Sequence, residues 1–419
     1  MRILLLCHNY PEFGTYFRAL GLARQLVKRG RTAVLMLISR ERAFRIKRYE
    51  LNGVRIIECP NFQPLILNKE DGWGPLDILL RCAYGITRRF DIVIGFGHKP
   101  DIAIPALLIK YLKRVTFISD WCDLWGGEGI FTKRGLLKPK YLGTPPDRTL
   151  IKLETFMEKF ILRKADIVTV ICTPLKDICE KWGIRPDKSL LLPSGSDTEG
   201  IAVMSKAQAR KELNLPADKK ILAYLGNYHQ EAKFLFESFE RICRERDDVR
   251  LLIIGPEFLP QDPEEKQNYE ERDIMERGKT YRAVPEQVRD RIIWTGKKPY
   301  AEIYRYLAAA DILLLPMENN TYERTRWPNK LCDYLAGGRP IAITDVGDAG
   351  AFVRENGCGI VTGPSLDLYC EAILANLDNE ALLDQLGSHA RSVAENDLSW
   401  GTITEKFLQF VTGELVNKK

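Results

Sequence analysis

The chain alternates, from end to end, between short apolar runs and longer stretches whose apolar residues recur at helical spacing. This pattern fixes the fold class before any motif is considered. The first unit is complete within about 35 residues. Arg2–Cys7 is an apolar strand, His8 to Thr15 a polar loop with Gly14, and Tyr16–Arg29 a helix with Leu20, Ala23, Leu26 and Val27 on one face. Gly30 stops that helix and Thr32–Ile38 is the next strand. A strand that is apolar at every position is covered on both faces, which is how parallel strands joined by crossover helices are buried. Strand, helix, strand in this form therefore excludes all-α and all-β architectures.

The alternation continues through strands at Gly53–Cys59, Asp91–Phe96, Val115–Ser119 and Asp166–Ile171, and a short one at Leu190–Pro193. Helices are expected in the second half of 64–88 and at Ala103–Leu112, Leu150–Lys164 and Pro174–Trp182. A second series follows: strands at Lys220–Leu225, Val249–Ile254, Ile292–Thr295, Asp311–Leu315 and Ile341–Thr344. Helices run from the loop 226–233 through Arg246, at Tyr300–Ala310, and near the end at 365–377, 379–395 and 402–415. Residues 257–290 are charged and poor in core residues, and read as a solvated excursion. The boundary between the series falls near Ser194 to Ala207.

One stretch carries most of the chemical information. After the strand at Asp311–Leu315 comes a polar loop, then a helix opened by Pro328 and stopped by Gly337-Gly338, then Pro340 and the next strand. A helix that starts just beyond a strand end points free N–H groups at an anion. Lys330 stands in its first turn, with Asp333 one turn on and on the same face. Together they read as half of a phosphate-and-ribose site; an i,i+3 salt bridge is the plainer alternative. Arg326, in the polar loop beside the helix start, suits a phosphate, with packing as its alternative.

The chain has 419 residues, 45% of them apolar and 28% charged, enough for two cores. No apolar run approaches the ~20 residues a membrane helix needs, and the start is too short for a signal peptide. The ten cysteines form no C-x-x-C pair. That points to a reducing, cytoplasmic compartment and gives no metal signature. Net charge is +6, yet residues 1–150 hold 25 Lys and Arg against 13 Asp and Glu. The basic groups Arg40, Arg42, Arg45, Lys47 and Arg48, with Lys110, Lys113, Arg114, Lys133, Arg134, Lys138 and Lys140, could form a solvated face or dock on an anionic membrane surface. No face interleaving arginines with aromatics points to nucleic acid.

Four local motifs then add up to a family resemblance over nearly the whole length. They are Gly14-Thr15 ahead of Ala23-Arg-Gln-Leu26-Val-Lys-Arg-Gly30, and Ala165-Asp-Ile-Val-Thr-Val-Ile-Cys-Thr173 followed by Leu192-Pro-Ser-Gly195-Ser-Asp197. The others are Tyr224-Leu-Gly226 with Lys233 beyond a loop, and Ala309-Ala-Asp311-Ile-Leu-Leu-Leu-Pro316 followed by Pro328-Asn-Lys-Leu-Cys-Asp333-Tyr-Leu-Ala-Gly-Gly-Arg-Pro340. In this order they resemble the GT-B glycosyltransferases of the group 1, GT4-like type. The resemblance implies an α/β GT-B fold of two doubly wound parallel-sheet, Rossmann-like domains facing across a cleft. Residues 1–200 would be the acceptor domain and 201–397 the donor domain, with 398–419 packing back on the first.

It further implies a nucleoside-diphosphate sugar donor, a glycan or lipid-linked acceptor, retention at the anomeric carbon, and neither metal nor further cofactor. By position Lys233 matches the phosphate-binding lysine and Asp333 the second acid of the Glu-x7-Glu motif, which binds ribose. Gly14 and Thr15 match the loop that approaches the donor phosphate, and Gly226 with Asn227 the second domain's first loop. Asp120 stands where the family has its first-domain histidine, and with Lys233 makes the catalytic pair. Asp123 and His98 are acceptor-binding candidates, with loop capping and a structural role as their alternatives. The chain departs from the pattern at Asn227, where Gly-Arg is usual, and at Thr325, where the first acid falls. Rival readings are an epimerase or phosphorylase on the same fold, and a catalytically weak nucleotide-sugar-binding subunit partnering an active transferase.

Overall fold

The structure is a computed structural model, and it describes residues 1–40, 44–61, 72–130, 148–226, 232–255 and 284–417. Asn227, Arg42, the basic residues 133–140 and most of the charged excursion lie outside the described residues. The chain divides into two compact units, Met1–Gly195 with Arg324–Trp327 and Trp400–Lys419, and Ser196–Glu323 with Pro328–Ser399.

The first unit is built on an eight-stranded sheet of β1 (Arg2–Cys7), β2 (Thr32–Ile38), β3 (Lys47–Leu51), β4 (Val54–Cys59), β5 (Ile92–Phe96), β6 (Thr116–Trp121), β7 (Ile167–Val170) and β8 (Ser189–Leu191). Its order is β3-β4-β2-β1-β5-β6-β7-β8, parallel except for the β3–β4 pair. The order reverses between β1 and β5, the topological switch point where such sheets bind ligands at their carboxyl ends. Its helices are α1 (Tyr16–Lys28), α2 (Pro75–Thr87), α3 (Pro100–Lys113), α4 (Arg148–Lys164) and α5 (Thr173–Lys181). β1 is buried from Ile3 onward and β5 throughout, as a sheet covered on both faces requires.

One strand escapes the apolar pattern. β3, Lys-Arg-Tyr-Glu-Leu, begins at the last two residues of the expected basic cluster, Lys47 and Arg48, and is an antiparallel edge strand with a largely exposed side-chain pattern. Its charges protect an edge that would otherwise be free to pair with another chain. The turn is readable: Asn52-Gly53 has positive φ at both residues, 51° and 80°, as a two-residue hairpin demands.

The second unit is a six-stranded, all-parallel sheet of β9 (Lys220–Leu225), β10 (Val249–Ile254), β11 (Ile292–Trp294), β12 (Ile312–Leu315), β13 (Ile341–Thr344) and β14 (Gly359–Thr362), in the order β11-β10-β9-β12-β13-β14. The switch point falls between β9 and β12. The helices are α6 (Lys206–Glu212), α7 (Ala232–Glu245), α8 (Ile303–Ala308), α9 (Thr321–Arg324), α10 (Asn329–Gly337), α11 (Gly347–Glu355), α12 (Leu366–Asn376) and α13 (Glu380–Asn396). Phe236 and Phe239 of α7 and Ile373 of α12 share one apolar core with Leu251 and Leu314 of the sheet. At the amino ends of β9 and β12, buried Asp311 accepts from Arg210 Nη2 at 2.6 Å, Lys206 Nζ at 2.7 Å and the Ile221 N–H at 2.6 Å, which pins the unit's first helix to the sheet.

The last helix, α14 (Trp400–Asn417), belongs to the first unit. Trp400 explains why two glycines stand where they do. A Cβ on Gly21 of α1 would meet its ring at 2.2 Å, and one on Gly195 at 2.6 Å. Arg29, at the end of α1, donates to the Gly401 carbonyl at 2.9 Å.

Candidate active site

At the carboxyl end of the first sheet, the loop after β1 folds on itself. Gly14 has φ of +55°, and a Cβ there would press on the Asn9 side chain at 3.0 Å. Asn9 Oδ1 accepts the Thr15 N–H at 2.9 Å, closing the loop onto α1. Thr15 is buried and its hydroxyl lies 3.8 Å from Cys122 Sγ. His8 is buried against the Trp125 edge, with ring centroids 5.8 Å apart. Burial, then the Lys99 charge, pushes its pKa down to about 3. A neutral ring carries one proton, and Nδ1, 3.2 Å from the Phe96 carbonyl, must hold it, leaving a lone pair on Nε2.

Asp120 and His98 are both buried, and neither presents a free face. Both Asp120 oxygens are engaged by Arg18 of α1, Nε to Oδ1 and Nη2 to Oδ2, each at 2.8 Å. Thr169 Oγ1 adds a third bond at 2.6 Å. Arg18 also donates to the Leu192 carbonyl at 2.8 Å. This bidentate pair ties α1, β6, β7 and the segment after β8 into one piece. It gives Asp120 a structural duty at the position carried as catalytic.

His98 Nε2 donates to Glu154 Oε2 at 2.5 Å, and Lys99 Nζ donates to Oε1 of the same carboxylate at 2.8 Å. Burial alone would raise the Glu154 pKa, but the His98 hydrogen bond and the Lys99 charge outweigh it and hold it below the ordinary range. One turn along α4, Glu158 accepts from Trp121 Nε1 at 3.0 Å and from the N–H groups of Trp125 and Gly126 at 2.8 and 2.9 Å. Burial raises its pKa, against those bonds. Among the described residues His98 Nδ1 is a buried nitrogen without a hydrogen-bond partner, 4.0 Å from Glu158. The Lys99 ammonium sits 4.5 Å from the centre of the Trp125 ring. The network therefore fixes the loop 121–127, on which half-buried Asp123 is carried.

Sequence reasoning missed Arg18, Lys99, Glu154 and Glu158. The signal for the two glutamates was present. They stand four residues apart on α4 while Phe156 and Phe160 occupy the opposite side. Amphipathic logic assigns those phenylalanines to the core, yet they are 64% and 41% exposed.

At the carboxyl end of the second sheet, Gly226 follows β9 with φ of +100°. A Cβ on Gly255, after β10, would strike the Gly226 carbonyl at 2.5 Å, so the two strand ends approach as only glycine permits. Lys233 lies in the first turn of α7 with its side chain 82% exposed, 3.9 Å from Glu237. Lys330 lies over Tyr224 with its ammonium 4.0 Å from the ring centre and hydrogen-bonded to the phenol oxygen. Tyr334 anchors the same helix: its hydroxyl donates to the Leu314 carbonyl at 3.2 Å and accepts the Leu225 N–H at 2.8 Å. α10 is thus bolted to β9 and β12, and ends as the glycine pair implies, with Gly338 at φ +64°.

Asp333 is half-buried on α10 and accepts from the Tyr300 hydroxyl at 2.8 Å. Burial pushes its pKa up to about 7, the nearby Asp197 charge adds to that, and the Tyr300 bond opposes it. Tyr300, Tyr224 and Asp197 extend the expected site. Arg326 is half-buried on the segment Arg324–Trp327, grouped with the first unit. Thr325 beside it is buried.

Two family profiles match the chain in sequence. "Glycosyl transferase 4-like domain" covers residues 14–195 and "Glycosyl transferases group 1" covers 219–379. The chain belongs to the group 1, GT4-like glycosyltransferase family. It is 22% identical over 188 residues to the putative teichuronic acid biosynthesis glycosyltransferase TuaH of Bacillus subtilis, covering 44% of this chain and 42% of TuaH. The chain spans about half the length of the curated relatives it matches. Sucrose-phosphate synthase from Thermosynechococcus elongatus superposes with a TM-score of 0.75 at 18% identity, over 100% of both chains. Anabaena Alr3699/HepE, solved with UDP and glucose, does so with a TM-score of 0.69 at 14% identity, over 98% of this chain and 99% of that one. These structures establish the GT-B fold.

Proposed function

We propose that this protein is a glycosyltransferase that moves a hexose from a nucleoside-diphosphate sugar to a glycan or lipid-linked acceptor, with retention, in the synthesis of a surface polysaccharide or glycoconjugate. The observation that carries the reading is the second unit's strand-end cluster. Lys233 extends into solvent from the first turn of α7, and Asp333 faces the same sheet end from α10. Asp333 Oδ1 is held by Tyr300, and Oδ2 would accept from a ribose hydroxyl. The leaving group of such a transfer is a nucleoside diphosphate, whose charge grows as the glycosidic bond breaks. Lys233, Lys330 and the first turn of α10 would stabilise it there. HepE's complex with UDP and glucose supports the donor class, and the TuaH match supports the polysaccharide setting.

The first unit would hold the acceptor. Its rigid His98–Glu154–Lys99 network positions the loop carrying Asp123, and His8 offers a neutral Nε2 as acceptor for a sugar hydroxyl. A second reading, a binding subunit that turns donor over slowly, is favoured by Thr325, a buried hydroxyl where the family carries an acid. Thermal shift with UDP-, GDP- and ADP-sugars tests the donor site, and release of nucleoside diphosphate on adding acceptor separates the two readings. Stabilisation by one donor class with turnover is expected. Stabilisation without turnover favours the binding subunit, and no shift with any donor overturns both.

A further inference from the structure

The helices covering one face of the first sheet sort their side chains the wrong way round for a water-facing layer. α2, α3 and α4 all connect strands that advance in one direction across the sheet, so right-handed crossovers place them side by side on one face. Bonds between them agree: Arg81 of α2 is 3.3 Å from Asp101 of α3, and Lys110 of α3 donates to the Lys164 carbonyl of α4 at 2.6 Å. Every carboxylate on these helices, Asp77, Asp101, Glu154 and Glu158, is at most 1% exposed. The exposed charges are all cations: Lys113, Arg148, Lys152, Arg163 and Lys164.

The same three helices expose large apolar side chains. Leu79, Ile104, Tyr111, Leu112, Phe156 and Phe160 are 41–64% exposed. Half of the large exposed hydrophobics among the described residues lie on these three helices. Phe156 and Phe160, one helical turn apart, stack with centroids 6.0 Å apart, and the Lys164 ammonium lies 5.8 Å from the Phe160 ring. Lys110 stands likewise 5.8 Å from the Tyr111 ring. Cations at helix C-termini answer the helix dipole and need no other reason. Arg148 and Lys152 in the first half of α4 have no such reason. The neighbouring helix α5 carries exposed Asp177 and Glu180, which mark the edge of the patch.

We propose that this face of α2, α3 and α4 is a docking surface for an anionic lipid bilayer, with the apolar side chains entering the headgroup region and the lysines and arginines meeting lipid phosphates. Apolar bodies ringed by cations match an anionic interface in both respects. A second copy of the chain would match it poorly, because a two-fold contact sets the same cations against one another. The expected basic stretch around residues 40–48 lies partly on edge strand β3, outside α2, α3 and α4, and is no part of the surface. This inference deepens the lipid-linked acceptor reading, since such an acceptor lies at a bilayer. Its test uses no donor, so failure here leaves the transfer reading standing.

The test is co-flotation of the full chain with phosphatidylcholine vesicles and with the same vesicles containing phosphatidylglycerol. Binding is expected only to the anionic vesicles and is expected to weaken with salt. The double variant Phe156→Ser/Phe160→Ser should cut partitioning by about tenfold or more. Lys152→Glu/Lys164→Glu should cut it at least as far, each cation near such a surface being worth about fivefold. Melting temperatures should be unchanged, since all four side chains are partly solvated. Absence of flotation with anionic vesicles, or flotation that neither variant alters, overturns the proposal. So does a dimer in light scattering that Phe156→Ser/Phe160→Ser dissolves.

Discussion

Replacing Asp120 by alanine separates a catalytic carboxylate from a structural one. The side chain is buried, accepts two bonds from Arg18 and one from Thr169, and has no exposed oxygen. Asp120→Ala leaves the Arg18 guanidinium buried with its main partner gone, a defect that costs about 3–5 kcal/mol. For a unit of this size, at about 2–4 °C per kcal/mol, the melting temperature should fall by about 10 °C. Replacing both partners with apolar side chains of similar volume, Arg18→Met/Asp120→Leu, removes the orphaned charge and should recover most of that loss. Differential scanning calorimetry of parent, single and double variants reads the effect. Nucleoside diphosphate release is measured at a temperature where all three are folded. If Asp120→Ala melts within about 2 °C of the parent while turnover is abolished, the carboxylate acts on substrate and the structural account is wrong.

Three further outcomes follow from the same geometry. Asp333 titrates near pH 7 in the fold and near 4 when unfolded, so the folded chain binds the extra proton between those values. Its contribution to stability is full below pH 4 and lost as pH rises through 7. Asp333→Asn should therefore stabilise the chain relative to the parent more at pH 8 than at pH 5; a pH-independent difference would refute the burial account. Lys233→Ala should leave stability within about 0.5 kcal/mol, because the side chain is solvated, yet weaken donor binding in calorimetric titration. Gly21→Ala drives a methyl into the Trp400 ring and should cost about 1–3 kcal/mol, read as earlier proteolysis of α14. Unchanged cleavage would show that the ring moves aside freely.

Most of the fold was legible because buried parallel strands announce themselves as unbroken apolar runs. β1, β5 and β9 are read directly, and the glycine pair after α10 marks its end. β3 was not legible: a charged edge strand has no apolar pattern, and only Asn52-Gly53 betrays its hairpin. The site was legible where chain direction alone placed it, at Lys330 and Asp333 on a helix leaving a strand end. It was not legible where distant segments supply the partner. Nothing near Asp120 in sequence reveals Arg18, 102 positions away, and nothing near His98 reveals Glu154. On α4 the two faces are visible in the periodicity, but with glutamates inside and phenylalanines outside their polarity is inverted, so the usual rule buries the wrong one.

The central claim is that the second unit binds a nucleoside-diphosphate sugar through Lys233 and Asp333. Isothermal titration of the full chain with UDP-, GDP- and ADP-glucose tests it most directly. The account predicts saturable binding of one of these donors, weakened about tenfold or more in both Lys233→Ala and Asp333→Ala. Tight binding that neither variant changes, or no binding of any of the three, would contradict it.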